Sequence, residues 1–185
     1  MLYYVTLLVN QYTIGQNAVR VAFVRYSDQG SVIFNLSRYG DANSVTTAIR
    51  SVQQISGGSN LAAALDVVRT QVFVSSVARQ NVWKLAIVVT DQLQQSQTLT
   101  QAINNLRADS SFRLCAVGIV VSGRQIDTNA LSPYQVTSVQ GYSQLLNAVQ
   151  PLQSCICLTG SVPGPGPGPG PGPAPNLVYW GEFSV

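Results

Sequence analysis

At 185 residues the chain is long enough for one domain with a sizeable core plus an appendage. Hydrophobic residues make up 46% and charged residues only 9%, so a folded unit wetted mainly by Gln, Asn, Ser and Thr is expected. A net charge of +3 without a basic cluster argues against a nucleic-acid partner. The complete lack of His excludes imidazole bases, Ser/His and Cys/His nucleophilic pairs and histidine-built zinc sites.

The opening Met1 to Val9 is apolar but has neither a basic leading region nor a small-residue cleavage site, so it does not read as a signal peptide. It is also far shorter than the ~20 residues a membrane span needs, and no other segment qualifies. Leu2, Val5, Leu8 and Val9 fall instead on one helix face. Val19 to Tyr26 and Ser31 to Leu36 flank a Ser-Asp-Gln-Gly turn and predict a hairpin. Ser44 to Gln54 and Leu61 to Phe73 have helical spacing. Lys84 to Thr90 is a nearly continuous apolar run, the pattern of a strand covered on both faces. Thr98 to Ala108 predicts a helix opened by a Thr98/Gln101 capping box. Arg113 to Val121 is a second buried strand, Tyr134 to Val139 a short last one, and Tyr142 to Leu152 a last helix. Helices alternating with buried strands imply an α/β fold in three layers: a mostly parallel, doubly wound sheet flanked by helices, with one antiparallel hairpin strand.

Three cysteines are present. Cys115 lies in an apolar strand and reads as a small core residue. Cys155 and Cys157 are too close for an easy mutual bridge, which makes them disulfide candidates for partners outside the chain, in an oxidising compartment. Asn35-Leu36-Ser37 is a glycosylation sequon, with Asn35 the acceptor. The organisation expected is a domain over residues 1–154, a Cys-x-Cys and Pro/Gly-rich linker over 155–175, and an apolar tail over 176–185. From Pro163 to Pro175 proline alternates with glycine except at Ala174, a period of two that excludes collagen. At ~3.1 Å per residue in a polyproline-like state it reaches about 40 Å, and less where glycine bends it. The aromatic tail after it is a sticky end, a docked strand, or the start of a further module.

In open α/β sheets ligands sit beyond the carboxyl ends of the strands. Asp91 directly follows the buried Lys84–Thr90 run, and Ser59 precedes the helix beginning near Leu61. A carboxylate and a hydroxyl at neighbouring loop tips suit a hard cation such as Mg²⁺, held weakly because two ligands are few. The simpler roles are a helix N-cap for Ser59 and a turn for Asp91; Asp28 reads as a hairpin-turn residue only.

Arg20–Ser27 with its hairpin, Gly57-Gly58-Ser59-Asn60 leading into Ala63-Ala64-Leu65, Leu85–Asp91, and Leu114–Ile119 together resemble a von Willebrand factor type A domain across about residues 1–154. The Cys-x-Cys ending with its spacer further resembles extracellular chains in which such a domain precedes a C-type lectin module. The resemblance implies a metal-ion-dependent adhesion site made by an Asp-x-Ser-x-Ser loop, a Thr and an Asp. Asp91 matches the Asp and Ser59 the Thr, while Asp-x-Ser-x-Ser occurs nowhere in the sequence. Met1 to Gln11 matches the helix after that loop, so the domain is incomplete at its N-terminus, lacking its first strand, a central one. Unpaired backbone groups beside the vacancy would each cost about 1–3 kcal/mol if buried. Its two neighbours closing up, further N-terminal sequence, or the tail of residues 176–185 returning to the slot would each remedy this. The function implied is a non-catalytic extracellular adhesion module with an incomplete metal site, recognising a protein or matrix ligand. The alternative is a structural, spacer-linked component of a secreted matrix or lectin-type protein. Without a phosphate-cradling Gly-rich loop or a nucleophile elbow, enzymatic activity is not expected.

Overall fold

A computed structural model describes residues 1–182 apart from 54, 56, 80, 81 and 161–175, with the backbone alone for 157–160 and 176–182. Helix α1 (Leu2–Val9) buries Tyr4, Val5, Leu8 and Val9, close to the face read from the sequence. Strands β1 (Arg20–Tyr26) and β2 (Gly30–Phe34) form the expected antiparallel hairpin, with Phe23 opposite Phe34. Helix α2 (Ala42–Arg50) starts at Asp41, whose carboxylate accepts from the Ser44 N–H at 2.8 Å. Helix α3 (Leu61–Val67) runs into a wider π-type turn over Val68–Val72. After it come β3 (Lys84–Thr90) and α4 (Gln97–Arg107). The chain continues through β4 (Phe112–Val120) and β5 (Val136–Gln140). A 3-10 turn over Tyr142–Ala148 leads into α5 (Val149–Gly160), and β6 (Asn176–Glu182) is the last element.

Two helix starts differ from expectation. The cap of α4 is Ser96, whose hydroxyl accepts from the Leu99 N–H at 3.1 Å, rather than the Thr98/Gln101 box. The last helix opens as a 3-10 turn and becomes regular only from Val149, with Pro151 in its first turn, where a missing N–H costs nothing. Regular structure therefore continues past residue 154.

The sheet has six strands in the order β2-β1-β6-β3-β4-β5, all parallel except β2. The middle is thus neither vacant nor closed up: the returning tail holds it. Asn176–Glu182 pairs with Arg20–Tyr26 on one side, and Asn176–Gly181 with Lys84–Val89 on the other. Side chains alternate between two cores. Val21, Phe23, Ile87, Val89, Cys115 and Val117 pack toward α1, α2 and α5. Ala22, Val24, Ala86, Val88, Leu114 and Ala116 face α3 and α4.

Cys115 is fully buried and bonded to Cys155 across 40 residues, with Cα atoms 6.2 Å apart. This corrects the reading of Cys115 as a plain core residue and of Cys155 as reserved for an outside partner. The pairing is legible only in three dimensions, because β4 faces α5. The side chain of Cys157 lies outside the described set. Asn35 ends the hairpin, its side-chain oxygen accepting from the Ser37 N–H at 3.1 Å and the Ser37 hydroxyl at 2.9 Å.

At the lower end of the sheet Lys84 pairs with Asp109. Burial raises the Asp109 carboxyl, but hydrogen bonds from Lys84 and Ser111 outweigh that and hold it below the usual carboxylate range. A depressed folded value contributes stability that is present above the unfolded pKa and is lost as pH falls through the folded one. Asp109→Asn is therefore expected to flatten the acid limb of a stability-against-pH curve below about pH 4, checked by urea melts at each pH.

Candidate functional site

Parallel strands deliver their following loops to one edge, and that edge carries the candidate residues. Asp91 leaves β3 at this edge and is only 2% exposed. Its two carboxylate oxygens have separate partners. The Arg124 guanidinium Nη1 donates to Oδ1 at 2.6 Å, and the Tyr142 hydroxyl donates to Oδ2 in a short hydrogen bond. Asp91 is therefore more than a turn residue: it is a buried acceptor tying together the loops after β3, β4 and β5.

Glycines aim both partners. Gly123 and Gly141 each have a φ of +78°, the left-handed region where a Cβ is disfavoured, and each directly precedes a partner of Asp91. Gly123 lies in a turn closed by the Arg124 N–H donating to Val121 at 3.2 Å. Gly141 turns the chain out of β5 while its N–H donates to Val120 at 2.9 Å. The loop after β3 is latched to the loop after β4. The Leu93 N–H donates to the Gln125 carbonyl at 2.8 Å, and the Asp127 N–H to the Leu93 carbonyl at 2.7 Å. Sequence reading singled out neither Arg124 nor Tyr142; the signal on offer was a glycine shortly after β4 and another directly after β5.

Ser59 lies at the same edge but is not the N-cap of α3. That role belongs to Asn60, whose side-chain oxygen accepts from the Ala63 N–H at 3.1 Å. The Ser59 hydroxyl instead donates to the Gln92 carbonyl at 3.2 Å, placing it beside the residue after Asp91. Asp28 does more than turn the hairpin, since its Oδ1 accepts from the Gly58 N–H at 2.8 Å and anchors the loop that carries Ser59. A shallow cleft borders the site, its polar wall formed by Ser59, Asn60, Gln92, Gln94, Ser96 and Thr98.

A divalent cation wants about six oxygens, charged ones above all. Among the described residues no three of His, Cys, Asp and Glu gather. The Asp91 carboxylate already faces a guanidinium and a phenol. The donors described here do not fit such an ion.

The family model of the von Willebrand factor type A domain matches residues 1–150. The chain belongs to that family. Among curated relatives, Cuticlin-6 of Caenorhabditis elegans is 26% identical over 160 residues, covering 85% of this chain and 27% of that one. Matrilin-3 of Gallus gallus is 30% identical over 116 residues, covering 60% of this chain and 25% of that one. The chain thus spans about a quarter of the length of these relatives. Among solved structures, proximal thread matrix protein 1 from the mussel byssus, with a zinc-occupied MIDAS motif, superposes with a TM-score of 0.75 at 19% identity. That match covers 85% of this chain and 40% of the mussel chain, and at such identity it establishes the fold. No helix among the described residues is long and apolar enough to cross a membrane.

Proposed function

We propose that this von Willebrand factor type A domain is a non-catalytic, extracellular protein-binding module whose strand-end site works without a metal ion. One observation carries the reading: Arg124 and Tyr142 engage both oxygens of Asp91, so a fixed guanidinium supplies the positive charge a cation would bring. Tyr142 is 43% exposed, and the neighbouring cleft is lined by amides and hydroxyls. Such a surface suits hydrogen bonding to the backbone and side chains of a matrix protein. The disulfide supports an oxidising, secreted setting, and Asn35 a glycosylated one.

Isothermal titration with Mg²⁺ and Mn²⁺ tests the metal-free reading. No binding below millimolar concentration is expected; sub-millimolar affinity abolished by Asp91→Ala would overturn it. Arg124→Ala leaves a buried carboxylate without its counter-charge and is expected to cost about 3 kcal/mol, read from the urea midpoint. Tyr142→Phe removes one hydrogen bond and should cost nearer 1 kcal/mol.

The structural alternative, a spacer-linked brick tied by cysteines, loses Cys155 to the internal bridge and rests on Cys157 alone. Migration as a single chain on a non-reducing gel counts against it.

A further inference from the structure

The end of the sheet away from the Asp91 site gathers charge of one sign. Strands β1, β6, β3 and β4 run parallel, and their first residues form a row: Arg20 beside Asn176, Asn176 beside Lys84, and Lys84 beside Phe112. Arg113 directly follows in β4, and Arg107 closes α4 at the same end. Burial raises the Tyr134 pKa, and the charges of Arg107 and Arg113 both pull against it, which puts these two cations near one hydroxyl. Arg79 comes in from the segment before β3. Its Nη1 donates to the Gln16 carbonyl at 3.2 Å and its Nη2 to the Ala18 carbonyl at 2.7 Å. The Arg20 Nε donates to the same Gln16 carbonyl at 3.1 Å.

Few acids answer this charge. Of the seven acidic residues, Asp28, Asp91, Asp127 and Glu182 belong to the opposite edge. Asp66 is paired with Arg69, Asp41 caps α2, and Asp109 is taken by Lys84. The Arg20 and Arg79 guanidiniums thus meet on one carbonyl oxygen. Like charges so placed oppose each other, and an anion set between them stabilises both. Burial, and after it the Arg20 charge, holds the Arg79 pKa below the ordinary arginine value. Planar guanidiniums grip oxyanions through paired N–H donors.

The spacing and the surroundings select the kind of anion. Strands β1 and β4 are three strand spacings apart, about 14 Å, which a small anion cannot bridge and a chain of repeated anions can. Among the described residues the exposed large apolar side chains are Tyr3, Ile33, Tyr142 and Leu146, and none lies at this end. Trp83 is stacked under the Arg113 guanidinium, 4.1 Å from the ring centroid. A protein partner would find no exposed large apolar anchor here of the kind that centres protein interfaces.

We propose that the lower edge of the sheet binds a sulfated polysaccharide, one sulfate seated between Arg20 and Arg79 and another at Arg107 and Arg113. Naming a sulfated sugar rests on the extracellular reading above. The assay below reads binding chemistry and not location, so its failure would leave that reading standing.

Heparin is the probe. The full chain should be retained on immobilised heparin at about 50 mM salt and released as salt rises, because counterions compete for such contacts. In isothermal titration, Arg20→Gln/Arg79→Gln and Arg107→Gln/Arg113→Gln should each weaken binding at least about tenfold, whereas Arg50→Gln/Arg69→Gln removes equal charge elsewhere and should weaken it less than about twofold. Because Arg79 also ties down the loop at 16–18, the second double variant, built on the exposed Arg107, decides if the first does not fold. Equal losses in the three variants, or no retention of the unmodified chain, overturn the proposal. So does polyglutamate of matched charge binding as tightly as heparin, which would assign the edge to acidic peptides.

Discussion

Val178→Pro is expected to abolish the cooperative unfolding transition, or to lower stability by at least about 3 kcal/mol. Val178 lies mid-strand in β6, opposite Ala22 on one side and Ala86 on the other. Proline there removes a ladder N–H and imposes its own φ in a strand paired on both edges, where no solvent can take up the lost bond. Domains of this size carry only about 5–15 kcal/mol in total, so one such break consumes much of it. Ala174→Pro, in the tether, is the matched control and should leave the urea midpoint unchanged. Equal midpoints for the two variants would show that the tail does not hold the middle of the sheet.

Breaking the Cys115–Cys155 bridge has the next largest expected effect. The bond closes a loop of 40 residues, and chain-entropy reasoning gives about 2–4 kcal/mol for such a cross-link. The expected drop in melting temperature is roughly 5–10 °C, seen by calorimetry with and without a reductant, and reproduced by a Cys115→Ala/Cys155→Ala variant. Cys115 is fully buried against α5, so the substituted pair also leaves a small void beneath that helix. Alkylation of the unreduced protein followed by intact-mass measurement should find both residues protected.

Much of the architecture is legible because its signals are local. The apolar run Lys84–Thr90 and the alternation from Arg20 to Tyr26 declare buried strands within a few residues of where they lie. Strand order is not local, and a ten-residue apolar tail carries no mark of which edges it will join. Three outcomes were therefore open for the middle of the sheet, and only the spatial pairing of β6 separates them. Helix caps were missed by one residue at Asn60 and by two at Ser96, since several neighbouring polar side chains can each cap and tertiary contacts choose among them. The site divides the same way. Asp91 is legible from its place at the end of a buried strand. Its partners lie 33 and 51 residues further on, in loops whose convergence depends on the finished sheet.

The position of β6 also governs when this molecule is able to fold. Its pairing with β1 joins residues separated by almost the whole chain, so the loop that must close is among the longest the sequence permits. During synthesis, helices α1 to α5 and the two halves of the sheet emerge first, with no strand between them. The halves lock only after residue 182 has left the ribosome. Until then the nascent chain holds a split hydrophobic interior open to the solvent, a state in which chaperone capture competes with completion.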